Sequence, residues 1–94
     1  MKFSEYVKKL KGGHWTQHKW FNQETGCMCI GAELIDAFTD INIHMIINYS
    51  YDTMSSSLGL TDRDLSMITH LNDQAPTFDM AKYSIIKYLE SIGK

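Results

Sequence analysis

At 94 residues the chain is long enough for one compact domain, near the lower limit at which a single core suffices without staples. A hydrophobic share of 44% with 12% aromatics excludes a disordered tail, and no apolar run approaches the ~18 residues of a membrane span. The net charge of −2 is unevenly spread, with five Lys against one Glu in residues 1–20 and seven acids against Arg63 in residues 21–64, so there is no domain-wide basic stripe and nucleic acid is disfavoured as a partner.

Helical spacing runs through most of the chain. Ser4 is placed to cap a first helix, in which Phe3, Tyr6, Val7 and Leu10 follow the i, i+3, i+4, i+7 rhythm of one apolar stripe. Gly12 and Gly13 stop it. Residues 14–26 are irregular and end in Asn22-Gln23-Glu24-Thr25-Gly26, a composition typical of a tight turn. The spacing predicts a second helix from about Cys27 to Phe38, where Gly31 and Ala32 leave room for another backbone or a large aromatic ring.

Thr39 or Asp40 is the expected cap of a third helix carrying Ile43, Ile46, Ile47, Tyr51, Met54 and Leu58 as far as Gly59, with a strand over Ile43–Tyr51 as the competing reading. Thr61-Asp62-Arg63-Asp64 reads as a capping box that opens a fourth helix through about His70. Leu71 to Pro76 is expected to be a loop. Thr77 then caps the last helix, with Phe78, Ala81, Ile85, Tyr88, Leu89 and Ile92 on one side and Gly93 at its end. The expected fold class is all-α, a single domain over residues 1–94 built from about five short helices that must share one core.

The chemistry is concentrated between His14 and Ala32, where two His, two Cys, two Gln and two Trp fall close together. His14, His18, Cys27 and Cys29 are ligand types that suit tetrahedral zinc, and His14 and His18 would share a face in a helix. Two surface imidazoles and two packed thiols are the structural alternative. Cys29, His70, Gln17 and Asn72 supply the residue types of a cysteine-dependent enzyme, with Cys29 at a helix N-terminus that would favour its thiolate. Against that stands Cys29 as a small buried hydrophobe and His70 as a helix C-cap.

Trp15-Thr16-Gln17, Cys29-Ile30-Gly31-Ala32, Leu71-Asn72-Asp73 and the helix capped by Thr77 occur in an order that resembles a family of small uncharacterised bacterial and phage proteins. The family pattern is W-x-Q-G, a Cys shortly before G-A, then W-N-D and a Thr-capped helix, and the resemblance covers residues 14 to 92. This chain has His18 where the family has Gly after Gln, and Leu71 where it has Trp. The resemblance implies a shared helical fold that brings Trp15, Gln17, Asn72 and Asp73 together, and a phage or mobile-element accessory role. It implies no activity.

The functional expectation is therefore a non-catalytic binding module that sequesters a host protein or a small nucleotide-type ligand. Trp15, Gln17, Trp20, Asn72 and Asp73 are its candidate contact residues, because aromatic surface and a few fixed amides make adaptable sites. No cofactor is expected, zinc being the alternative. Adjacent Trp20 and Phe21, hard to bury together, point to an exposed interface and a homo-oligomer as a further partner state. The N-terminus lacks the layout of a signal peptide, and two Cys one residue apart rarely meet bridge geometry. A cytoplasmic protein with reduced thiols and no membrane association is expected.

Overall fold

Five α-helices follow one another in the computed structural model, which describes Met1–Lys94. They are α1 (Phe3–Lys8), α2 (Ile30–Phe38), α3 (Tyr51–Leu58), α4 (Asp62–Gln74) and α5 (Phe78–Ser91), with short 3-10 segments at Gly12–His14 and Ile43–Asn48. The chain is all-α. Its only β-type pairings are two isolated bridges, from Trp15 and from Phe21 to Met28.

One core of 17 buried apolar side chains joins these helices. α2 lies at its centre, against α1, α3 and α4, while α5 packs on both α1 and α4. The apolar spacing accounts for this directly: Leu34 and Ile35 on α2, Leu65 and Ile68 on α4, and Ala81, Ile85 and Leu89 on α5 are fully buried. Each such Leu or Ile contributes about 1.5–3 kcal/mol by leaving water. Phe3 and Tyr6 of α1 meet the ring of Phe38 edge-on, at 4.8 and 5.3 Å, and close one end of the core. No helix is long and apolar enough to cross a membrane.

Several helix ends match the local signals. Thr61 Oγ1 accepts the Asp64 N–H and Asp64 returns the bond to the Thr61 N–H, the reciprocal box read from the residues. Thr77 Oγ1 accepts the Met80 N–H at the start of α5. The turn after Phe21 is closed by Gly26 N–H to Asn22 O at 2.7 Å, with Asn22 Oδ1 accepting from Glu24 and Thr25. Gly26 supports it at φ 75, a conformation that favours glycine.

Four boundaries differ, each for a physical reason. Ser4 is buried inside α1 and caps nothing; the Glu5 carboxylate accepts the Lys2 N–H at the helix start instead. α2 begins at Ile30, three residues later than the spacing suggested, because Cys29 is its cap. The third helix is broken in two. Asn42 Oδ1 caps the 3-10 segment, Met45 leaves helical geometry at φ −112 and ψ 15, and Ser50 Oγ caps α3 anew through the Thr53 N–H. Ile41, Ile43, Ile46 and Ile47 are β-branched and crowd a regular helix, and the tighter 3-10 winding places Ile43 and Ile46 together on the inner side. Finally, α4 runs on through the expected loop to Gln74, and stops where Ala75, at φ −76 and ψ 137, must be extended ahead of Pro76.

Candidate functional site

Beyond the 3-10 turn Gly12–His14, the segment leading to α2 is irregular and is held by side chains from the end of α4. Asn72 is the hub. It is fully buried, and its Oδ1 accepts both the Trp15 indole N–H at 2.7 Å and the Ile30 N–H at 3.1 Å. Its Nδ2 donates to Thr16 O at 3.1 Å and to Asp73 Oδ1 at 3.0 Å. A primary amide offers two donors and an acceptor with two lone pairs, so every capacity of this side chain is used within the fold.

Gln17 completes the arrangement. Its Nε2 donates toward Asn72 O, Asp73 O and Ala75 O at 3.0, 3.3 and 2.8 Å. Those are carbonyls at the C-terminal end of α4, which have no partner inside the helix. Gln17 thus caps α4 from 55 residues away, which is why the polar run Leu71–Gln74 is helical. Asp73 Oδ1 also takes the N–H of His18, whose φ of 65 lies in the left-handed region that costs a non-glycine residue about 1–2 kcal/mol. Trp15, Gln17, Asn72 and Asp73 are brought together as expected. Their polar groups are turned toward one another, and the void beside Trp15, about 10 Å³, is no larger than one water.

Cys29 is the other end of this clamp. Its Sγ accepts the Ala32 N–H at 3.3 Å and its own N–H donates to Trp20 O at 3.1 Å. The side chain is buried, and burial pushes the thiol up to about 12, partly opposed by the Ala32 N–H. The expectation of a thiolate favoured by the helix N-terminus is therefore overturned: loss of hydration outweighs the helix-end bond. His70 is exposed on α4 and lines a surface hollow with Arg63, Ser66 and Met67. The residues of the enzymatic reading are thus divided between a buried cap and an outer helix face.

The four zinc-type ligands are likewise dispersed. His14 and His18 are exposed, Cys27 is half-buried and Cys29 is committed to its cap. No three His, Cys, Asp or Glu side chains are grouped so as to hold a metal ion. Trp20 and Phe21 are half-buried, not the bare pair expected from the sequence. Trp20 lies so close over Gly31 that a Cβ there would meet its Cζ3 at 3.0 Å, the small-residue approach anticipated for α2, and its ring tilts against Tyr51 at 5.9 Å. Phe21 is covered edge-on by His44 at 5.0 Å.

What the residue-by-residue reading missed is the outer side of the 3-10 segment. Ile47 is 87% exposed, Met45 51% and Tyr49 37%, three large apolar side chains within five residues. Beside them lies an open cleft of about 400 Å³, floored by Phe21, Ile43 and Ile46 and rimmed by Lys19 and Glu24. The signal was present in the sequence as four isoleucines between residues 41 and 47, more than one face of one short helix can bury. Placing Ile47 on the same inward stripe as Ile43 and Ile46 concealed it. Comparison with known protein families, with curated proteins and with solved structures gives no match.

Proposed function

We propose that this chain is a non-catalytic protein-binding module, whose contact face is the 3-10 segment Ile43–Asn48 with the cleft beside it. One observation carries the proposal: Ile47, an aliphatic side chain with no polar atom, stands 87% exposed between Met45 and Tyr49. A small soluble domain gains nothing from clustered bare aliphatics, and such clusters mark surfaces covered in use. The other exposed apolar side chains support this less well. Met67 stands alone on α4, and on α5 Tyr83, near Met80, has the Lys87 ammonium over its ring.

A protein is the better partner class than a small ligand. The amides of Asn72 and Gln17, which would orient a ligand, are spent on the fold, and the cleft beside Ile47 is open. The buried thiol and dispersed His residues favour binding over chemistry.

The test is site-specific photo-crosslinking in the native host, with benzoylphenylalanine at position 47 and, as a control, at position 83. A discrete protein adduct at 47 and none at 83 is expected. Equal labelling at both positions, or no adduct at 47, overturns the proposal.

A further inference from the structure

The cleft beside the 3-10 segment also indicates which protein fits it. Its rim carries one cation and one anion, Lys19 and Glu24, both exposed and neither in an ion pair within the chain. A strongly charged partner meets one like charge there whatever its sign, which disfavours both a polyphosphate backbone and a uniformly basic segment. A surface with the same two charges in reversed order satisfies both, and a two-fold axis supplies that surface from an identical chain.

The apolar parts have the same self-complementary character. Ile47 projects at the edge of the cleft that Phe21, Ile43 and Ile46 floor. A knob beside a hole is the arrangement that a two-fold contact uses, each copy inserting its knob into the other's hole. The open volume of about 400 Å³ accommodates an isoleucine side chain without rearrangement of Phe21, Ile43 or Ile46. The net charge of −2 per chain sets little repulsion against pairing.

Building on the binding role proposed above, we infer that the occupant of this face is a second copy of the chain, in a two-fold dimer. Ile47 of each copy fills the other's cleft, and Lys19 of each pairs with Glu24 of the other.

Sedimentation velocity across a concentration series tests this with five proteins: the wild type, Ile47→Asp, each single reversal Lys19→Glu and Glu24→Lys, and the double reversal. All the altered side chains are exposed, and circular dichroism checks that each variant is folded. The wild type is expected to dimerise and Ile47→Asp to remain monomeric. Each single reversal should raise the dimer Kd about tenfold, and the double reversal should return it to within about threefold of wild type. A monomeric wild type at every concentration overturns the dimer. So does a dimer indifferent to Ile47→Asp, or a double reversal no better than the singles. If the wild type is monomeric yet position 47 still crosslinks to a different protein, the dimer fails and the binding role stands. If neither occurs, both fail.

Discussion

The Trp15 indole N–H and the Ile30 backbone N–H converge on one oxygen, Asn72 Oδ1, at 2.7 and 3.1 Å. One side chain thereby ties the irregular segment, the start of α2 and the end of α4 to a single point. Removing it strands two donors, each costing about 1–3 kcal/mol if buried without a partner. Asn72→Ala should therefore lower stability by about 3 kcal/mol, read as a lower urea midpoint, whereas Trp15→Phe should cost about 1–2 kcal/mol. Because both act through the same oxygen, the double variant should lose less than the sum of the two. Strict additivity would show that the indole bond contributes independently.

Gln17→Glu keeps the shape of the side chain and replaces its donor with an acceptor facing three carbonyls. The last turn of α4 should then open, at a cost of about 2 kcal/mol. Hydrogen exchange resolves this locally: amides at the end of α4 should lose protection, while those in the middle of α5 keep it. Unchanged protection at Leu71–Gln74 would mean that the helix end does not depend on this cap.

Cys29 should react far more slowly than Cys27 with iodoacetamide in the folded protein, and the two should converge in urea. The thiol is raised from 9.0 to about 12 by burial. The unfolded chain releases this proton first, so the Cys29 contribution to stability is complete below pH 9 and is lost as pH rises from about 9 toward 12. Cys29→Ser retains an acceptor for the Ala32 N–H and should remove that alkaline loss. A wild type whose melting temperature is flat up to pH 11, once scanned against the Ser variant, would contradict the assignment.

Tyr88 Oη donates to Asp64 Oδ1 at 2.6 Å, and this bond is the main cause holding the Asp64 carboxyl below its ordinary value of 3.8. A depressed carboxyl stabilises the fold above its unfolded value, and that contribution disappears as pH falls through the lowered one. Tyr88→Phe should therefore cost about 1 kcal/mol near neutrality, a figure reduced for solvent screening at this surface. The difference from wild type should shrink below pH 3.8 as the carboxyl protonates. Glu33 works in the opposite direction: burial, and then the neighbouring Asp36, raise its carboxyl, so its contribution is present at low pH and fades as pH rises through the raised value. Acid titrations of Tyr88→Phe beside wild type separate the two, and a constant gap at all pH values would remove Asp64 from the account.

Much of the helical architecture could be read locally, since caps and apolar spacing act over one or two turns. The box from Thr61 to Asp64, the Thr77 cap and the α5 stripe of Ala81, Ile85 and Leu89 need only near neighbours to form. The position of Gly31 under a large ring was legible for the same reason: a missing side chain is visible wherever it stands.

What depended on the tertiary structure are the interactions between distant residues. Leu71–Gln74 looks like a loop until Gln17 arrives to donate to the free carbonyls, and Asn72 looks like a turn residue until burial obliges all its hydrogen bonds to be made. Cys29 carries the same atoms in either account, and only the loss of water around it raises the thiol where a helix N-terminus alone would favour the thiolate. The isoleucines from Ile41 to Ile47 show the limit best. Their number is a property of the sequence, but a break at Met45 decides that Ile43 and Ile46 enter the core and Ile47 is left in solvent. Local spacing sets which residues can share a face, and packing against the rest of the chain selects the face that is buried.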